Sequence, residues 1–264
     1  MMQLLKADYN GAIIKSSPNF NDRRVLEISQ NESDKEEGIK FLILHYTGMK
    51  TAEAAIKRLS DPKAQVSCHY VVLENGDVIQ MVSESKRAWH AGESEWQGIN
   101  DINSRSIGIE IVNQGPVGNY PDFPDEQINS VIQLCKDIVK RHHIEPRYVL
   151  AHSDIAPLRK EDPGEKFPWE KLYQEGVGHW VKPTAIGGGR FMSMGETGRP
   201  VEALQAMLLL YGYTIQVDGV FDEKTESVIR AFQRHFRPQK VDGIADYSTI
   251  DTLHRLLGTL KALS

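Results

Sequence analysis

Two histidines and one aspartate are the residues whose types and positions could act together chemically. His45 ends the apolar run Phe41–Leu44, and His152 follows the run Tyr148–Ala151. Asp162 lies ten residues beyond His152. Two His nitrogens and one carboxylate suit a catalytic zinc site, in which the fourth coordination position is left for water. Because the chain contains nine His, a structural role is the alternative for each of the two histidines.

Two more charged residues could serve the same chemistry. Glu110 interrupts the apolar segment Ser106–Val112, where a lone carboxylate is costly unless it is paired or its pKa is raised. Such a carboxylate could take a proton from a metal-bound water. Lys160, two residues before Asp162, could stabilise a tetrahedral oxyanion. The alternatives are a solvent-facing strand for Glu110 and an ordinary surface position for Lys160. Together these residues indicate hydrolysis by a metal-activated water.

Three predicted strands would position these side chains. Phe41–His45 and Tyr148–Ala151 are short apolar runs that predict buried strands, and each delivers a His at its end. In Ser106–Val112 alternate residues point to opposite faces, so the three isoleucines share one face and Glu110 lies on the other. Adjacent strands that end on one edge of a sheet would bring the two His together there.

The rest of the first 175 residues alternates between helix and strand patterns. Thr51–Leu59 and Asp125–His143 predict helices, each with its first residue as the N-cap. The Asn-Gly pair in Glu74–Asp77 predicts a hairpin between strands His69–Leu73 and Val78–Val82. These patterns predict an α/β fold with a mixed central sheet flanked by helices.

The C-terminal part of the chain has a different organisation. The Gly-rich segment 176–198 predicts a linker between a catalytic domain at 1–175 and a small three-helix domain at 199–264. The pattern Asp-Gly-x-x-Asp-x-x-Thr begins at Asp218 and again at Asp242. Each copy predicts a turn that leads into a capped helix, and capping alone is the alternative to a ligand-binding role. An EF-hand is excluded because the carboxylate pattern and its terminal Glu are missing.

Bulk composition excludes several classes of function. The net charge is −5 and Lys and Arg are scattered, so there is no reason to expect a nucleic-acid partner. No apolar stretch approaches the roughly 20 residues needed to span a bilayer. Met1–Asp8 lacks the long apolar region of a signal peptide.

Cys135 falls on the apolar stripe of the long helix and is predicted to be a small core residue. No Cys cluster has metal-binding spacing.

Six segments, in their order along the chain, resemble a known family. They are His45-Tyr46-Thr47, Ser67-Cys68-His69-Tyr70, Arg87-Ala88-Trp89-His90-Ala91-Gly92, Ser106-Ile107-Gly108-Ile109-Glu110, Ala151-His152-Ser153-Asp154-Ile155 and Arg159-Lys160-Glu161-Asp162-Pro163-Gly164. Together they resemble the zinc-dependent type 2 N-acetylmuramoyl-L-alanine amidases, relatives of the peptidoglycan-recognition proteins, over roughly residues 20–175. The C-terminal Asp-Gly turns and their neighbours resemble the three-helix peptidoglycan-binding domain.

This resemblance implies a role for each of the residues introduced above. His45, His152 and Asp162 would bind zinc. Glu110 would activate the metal-bound water, and Lys160 would stabilise the oxyanion. The bond cut would join the lactyl group of N-acetylmuramic acid to the first L-alanine of the stem peptide.

Three other residues are candidates for substrate binding. Trp89 and His90 lie in a predicted loop, where the Trp ring could stack on a sugar or peptide face, and structural packing is the alternative. By the family resemblance, Asn103 would hydrogen-bond the stem peptide. Cys68 stands where one branch of the family carries a catalytic Tyr, and with Glu110 present the chain resembles the Glu-dependent bacterial branch.

Taken together, the sequence predicts a two-domain peptidoglycan amidase. The first domain would cut and the second would tether the enzyme to the polymer, which raises the effective substrate concentration. A wall-binding domain favours the cell envelope and the periplasm, whereas the lack of a signal-peptide pattern favours the cytoplasm. The alternatives are a non-catalytic peptidoglycan-recognition protein and a cytoplasmic amidase specific for anhydro-muropeptides. Recognition proteins usually lack a zinc ligand, and all three ligand positions are filled here.

Overall fold

The computed structural model describes residues 6–24, 26–27, 35–36, 38–189 and 191–260. The predicted outer domain boundaries at residues 1 and 264, and most of the N-terminal segment Met1–Asp8, lie outside these ranges. The strands are β1 (Ile13–Ile14), β2 (Phe20–Asp22), β3 (Leu26–Glu27), β4 (Lys35–Glu36), β5 (Phe41–Tyr46), β6 (Tyr70–Val72), β7 (Val78–Gln80), β8 (Lys86–Ala88), β9 (Ser106–Ile111) and β10 (Val149–Ala151). The helices are α1 (Ala52–Ser60), α2 (Ile102–Arg105), α3 (Asp125–His142), α4 (His152–Ile155), α5 (Trp169–Gln174), α6 (Arg199–Tyr211), α7 (Glu223–Phe236) and α8 (Tyr247–Leu260).

A six-stranded sheet with the order β1-β7-β6-β9-β5-β10 forms the centre of the described residues. The four strands β6, β9, β5 and β10 are parallel to one another, whereas β7 is antiparallel to β6 and parallel to β1. The predicted mixed α/β sheet is therefore confirmed. Because the adjacent parallel strands β9, β5 and β10 end at one edge of the sheet, the residues at their carboxyl ends lie close together.

The two faces of β9 pack against different layers. Ile107, Ile109 and Ile111 belong to the larger buried cluster, together with the apolar face of α3. On the opposite face of the sheet, Ile56 and Leu59 of α1 belong to a smaller cluster with Val71 of β6 and Ile79 of β7. Apolar side chains on both faces are typical of a parallel sheet covered by helices. The predicted alternation along this strand thus separates the two layers.

Local sequence signals account for most element boundaries. The predicted cap of α1 is confirmed, because Thr51 Oγ1 accepts a hydrogen bond from the Ala54 N–H at 3.2 Å. The predicted hairpin is confirmed as the antiparallel pair β6–β7. The predicted cap of α3 was wrong: Pro124 occupies the N-cap position and Asp125 is the first helical residue. The fixed extended backbone of Pro124 starts the helix one residue earlier, and Asp125 still favours it through the helix dipole.

The C-terminal repeat is held by a pair of equivalent glutamines. Gln205 Oε1 accepts hydrogen bonds from the N–H groups of Asp218 and Gly219, and its Nε2 donates to Asp218 Oδ1. Gln233 makes the same bonds to Asp242 and the following Gly. The second Asp of each copy caps the helix that follows, as the sequence predicts. Each copy of the repeat is therefore a turn that is fixed by a glutamine side chain and leads into the next helix, α7 or α8.

The helical C-terminal region packs directly on the α/β region. Trp96 is fully buried, and a side chain at Gly212 would overlap its indole ring at 2.5 Å. Tyr213 and Trp96 belong to one buried cluster that continues through both regions. The segment 176–198 contains no helix or strand among its described residues. It is packed in part, because Val177 and Trp180 are buried.

Candidate active site

His45, His152 and Asp162 meet at the carboxyl edge of the sheet. His45 is the fifth residue of β5, and His152 begins α4 directly after β10. Asp162 follows α4 in a loop, where its carbonyl accepts a hydrogen bond from the Ser153 N–H at 3.0 Å. The Nδ1 atoms of the two His lie 2.9 Å apart, and each lies 3.0 Å from Oδ2 of Asp162. The three side chains are close enough to hold one metal ion.

The surroundings of the three groups act on two of them, His45 and Asp162, in the direction that favours cation binding. All three are buried. Burial, followed by the neighbouring His152, lowers the pKa of His45 to about 4. Burial alone would raise the pKa of Asp162, but the charge and hydrogen bonds of His152 and His45 hold it well below its usual range. A neutral imidazole and an ionised carboxylate are the protonation states that ligate metals.

Glu110 faces the same edge from the neighbouring strand. It is the register partner of His45 in the parallel pair β5–β9. Its Oε2 atom is buried and has no hydrogen-bond partner in the described part of the chain. Burial raises the pKa of Glu110 well above its usual value, Asp162 raises it further, and Lys160 lowers it. A buried carboxylate with an unpaired oxygen opposes folding, and such groups cluster at functional sites.

An open cavity of about 450 Å³ lies beside these groups. The residues that line it include Trp89, Glu110, His152, Lys160 and Asp162. The Trp89 indole N–H donates to Asn21 Oδ1 at 2.6 Å, which holds the ring in place. The cavity therefore brings one carboxylate and one ammonium group to the side of the three predicted metal ligands.

His90 and Asn103, which the sequence predicts to contact substrate, both make contacts with other described residues. His90 borders the cavity, but its Nδ1 contacts His45 Nε2 at 3.1 Å. Asn103 is buried in α2, and its Oδ1 accepts from the N–H groups of His90 and Ala91 at 3.0 and 2.9 Å. Asn103 does not line the cavity. Contact of either side chain with substrate stays a prediction.

Both parts of the chain are similar to known proteins. Residues 35–165 match the family model of N-acetylmuramoyl-L-alanine amidase, and residues 197–253 match that of a peptidoglycan binding domain. The N-acetylmuramoyl-L-alanine amidase AmiD of Escherichia coli is 41% identical over 225 residues, which cover 80% of this chain and 79% of AmiD. The chain belongs to the N-acetylmuramoyl-L-alanine amidase family.

Two solved structures share the fold. The structure of Escherichia coli AmiD with anhydro-N-acetylmuramic acid-L-Ala-D-γ-Glu-L-Lys matches with a TM-score of 0.73 at 35% identity, covering 91% of this chain and 98% of AmiD. AmpDh3 of Pseudomonas aeruginosa matches with a TM-score of 0.70 at 30% identity, covering 98% of this chain and all of that chain (100%). The predicted family and enzyme class, an N-acetylmuramoyl-L-alanine amidase, are confirmed.

The cysteines of this amidase are placed as inert core residues. Cys68 and Cys135 are free and fully buried. Burial and the nearby Glu110 raise the pKa of the Cys68 thiol well above its usual value. A thiol with a raised pKa contains little of the thiolate that acts as a nucleophile. The buried environment thus opposes a nucleophilic role for Cys68.

Sequence reasoning missed the contacts that the C-terminal region, mainly α7, makes with residues beside the metal ligands. Asp154, two residues after His152, accepts hydrogen bonds from the Tyr213 hydroxyl and from His235, each at 2.7 Å. Arg234 donates to Glu161, the residue before Asp162, at 2.8 Å. The only sequence signal was the apolar periodicity of the helix, which does not reveal its partner.

Within the described residues, no helix is long and apolar enough to cross a membrane.

Proposed function

We propose that this amidase cuts the bond between N-acetylmuramic acid and the L-alanine of the stem peptide with a zinc ion held by His45, His152 and Asp162. The observation that carries the proposal is the convergence of two His nitrogens and one carboxylate oxygen, 2.9–3.0 Å apart, beside an open cavity. Two nitrogen ligands and one carboxylate suit zinc with one position left open. When bound, zinc lowers the pKa of its water to about 7 and polarises the amide carbonyl.

Glu110 is the proposed general base. It lies beside His45, lines the cavity, and has a buried oxygen without a partner among the described residues, which can accept a proton. Its raised pKa brings it closer to neutral pH, where a carboxylate can both take a proton from water and return it to the alanine amine that leaves.

Lys160 is the proposed oxyanion stabiliser. It lines the same cavity, and its charge lowers the pKa of Glu110, so its cation acts on this site. A fixed cation beside the scissile carbonyl stabilises the negative charge that develops on the oxygen. Trp89 offers an aromatic wall for a sugar or peptide face.

The proposed substrates are peptidoglycan and the muropeptides released from it. The solved AmiD complex contains anhydro-N-acetylmuramic acid with a tripeptide, and an AmpDh3 complex contains an anhydromuramic pentapeptide. The match of residues 197–253 to a peptidoglycan binding domain supports action on the polymer. We therefore assign cutting to residues 1–175 and polymer contact to residues 199–264, with 176–198 between them. The same match supports action in the cell envelope, with the periplasm as the proposed compartment.

Two alternatives are separable from this proposal. A non-catalytic recognition protein would bind the polymer without release, and the convergence of all three ligand positions favours catalysis instead. An amidase restricted to anhydro-muropeptides would cut soluble fragments but leave intact sacculi unchanged.

The test is an incubation of the purified protein with intact sacculi and, separately, with a soluble anhydro-muropeptide. Products are identified by mass spectrometry with and without a zinc chelator, and bound metal is measured by elemental analysis. We expect stem peptides with a free L-alanine amine from both substrates, and none after chelation. Glu110→Gln serves as the inactive control, and Glu74→Gln, at an exposed hairpin turn, as its matched control. Release that survives complete removal of metal would refute the proposed zinc mechanism.

A further inference from the structure

We propose that the dipeptide His90-Ala91, anchored by Asn103, determines which ring nitrogen of each His ligand faces the metal, an inference that rests on the metal site proposed above. A metal can bind only the ring nitrogen that lacks a hydrogen, and the hydrogen bond made by the other nitrogen sets which one that is. Both His ligands find that second partner in this one dipeptide.

The His152 side follows from a single contact. Its Nε2 lies 3.0 Å from the carbonyl oxygen of Ala91. A carbonyl oxygen can only accept a hydrogen bond, so Nε2 carries the hydrogen. Nδ1 therefore has the lone pair, and this atom lies 3.0 Å from Asp162 Oδ2 and faces the site.

The His45 side follows from a chain of three contacts that starts at another carbonyl. Ser106 Oγ lies 2.7 Å from the carbonyl oxygen of Ile102 and must donate its only hydrogen there. The contact of 3.1 Å between Ser106 Oγ and His90 Nε2 then requires His90 to be the donor. His90 Nδ1 is left as an acceptor, so the hydrogen in its 3.1 Å contact belongs to His45 Nε2. His45 Nδ1 consequently has the lone pair that faces the site.

Three features hold the dipeptide His90-Ala91 in this position. Asn103 Oδ1 accepts hydrogen bonds from the backbone N–H groups of His90 and Ala91, at 3.0 and 2.9 Å. Gly108 leaves the space for the His90 ring, because a Cβ at that position would lie 2.4 Å from a ring carbon. Arg159 adds a third tie, since its guanidinium also donates to the Ala91 carbonyl at 3.1 Å. The glycine in Ser106–Ile111 and the buried Asn103 thus serve the same dipeptide.

The test compares two variants of His90 in the full chain. His90→Leu removes the acceptor for His45 Nε2, whereas His90→Asn places an amide oxygen close to the former position of Nδ1. Zinc affinity is measured by competition with a chromophoric chelator, and the Co²⁺ absorption spectrum reports the ligand geometry. We expect about 10–100-fold weaker zinc binding for His90→Leu, the usual cost of losing such a partner, with an altered Co²⁺ spectrum. His90→Asn should bind zinc within about threefold of the wild type.

The control is His254→Leu, which removes an exposed His of α8 and should leave zinc affinity unchanged. Thermal unfolding of the metal-free proteins separates a loss of affinity from a loss of fold. Zinc binding by His90→Leu equal to that of the wild type overturns the inference and leaves the metal site intact. Equal losses in His90→Leu and His90→Asn also overturn it, because packing rather than the hydrogen bond would then be responsible. Wild-type protein that binds no zinc overturns the metal site and this inference together.

Discussion

Replacement of Glu110 by Gln should have opposite effects on catalysis and on stability. Gln cannot accept the proton of a metal-bound water, and general-base catalysis contributes about 10²–10⁴-fold to turnover. The same carboxylate is costly to ionise in the folded protein, because its Oε2 is buried without a hydrogen-bond partner in the described residues and Asp162 lies nearby. Gln carries no charge at this position, and the uncompensated charge costs about 1–3 kcal/mol of stability at neutral pH. We therefore expect the metal-free variant to be more stable than the metal-free wild type, by about 2–12 °C in melting temperature for a chain of this size.

The stability difference should depend on pH in a defined direction. The folded-state pKa of Glu110 is raised well above the usual value of 4.5, so the folded wild type binds this proton more tightly than the unfolded chain does. Below about pH 4.5 the carboxyl is protonated in both the folded and the unfolded wild type, so its ionisation no longer separates the wild type from the variant. As pH rises above that value, the wild type loses stability relative to the variant, by about 1.4 kcal/mol for each unit of pKa elevation.

The first assay is thermal unfolding of both metal-free proteins between about pH 4 and pH 8, the range over which the stability difference should develop. The second is turnover of the zinc-loaded proteins on a muropeptide. Glu74→Gln, which changes an exposed carboxylate in the same way, should follow the wild type in both measurements. Near-normal turnover of Glu110→Gln would remove Glu110 from the mechanism. A variant that is no more stable at neutral pH than the wild type would refute the proposed cost of the unpaired carboxylate.

Three further predictions concern the ligands and their supports. Asp162→Ala should lose the metal while keeping the fold, and elemental analysis that still finds stoichiometric zinc would mean that this ligand is misassigned. Cys68→Ala should keep turnover within a few-fold, and a thiol reagent should not label the native protein, because the residue is buried with a raised pKa. Arg234→Met breaks the ion pair with Glu161 and should weaken zinc binding less than about sixfold, as expected for a pair worth about 0.2–1 kcal/mol. Arg230→Met, which breaks an ion pair within α7 alone, should leave zinc affinity unchanged.

Elements with strong local signals could be predicted from the sequence. The apolar run before His45 and the run before His152 predicted β5 and β10, because short buried strands need no distant information to be recognised. The Asn-Gly hairpin and the cap of α1 were equally local. The cap of α3 was not, since the extended backbone of Pro124 competes with the capping preference of Asp125.

The roles of His90 and Asn103 could not be predicted from their positions in the chain. A Trp-His pair in a loop favours a cavity wall, and Trp89 does line the cavity. The next side chain turns towards His45 instead, because Gly108 on the neighbouring strand leaves room for its ring. Which way a loop side chain turns depends on the space left by elements that are distant in sequence.

The sequence by itself determined the chemistry available to this protein: two His at the ends of predicted strands, a Glu within a third strand, and an Asp and a Lys in the loop after the second His. Residue type and strand periodicity are local properties, so they are legible without the fold. Only the tertiary structure decided that the parallel strands β9, β5 and β10 are adjacent, which brings those residues together. It also decided that α7 packs against the residues next to His152 and Asp162. Such contacts depend on which surfaces bury one another, and an apolar stripe on a helix does not specify its partner.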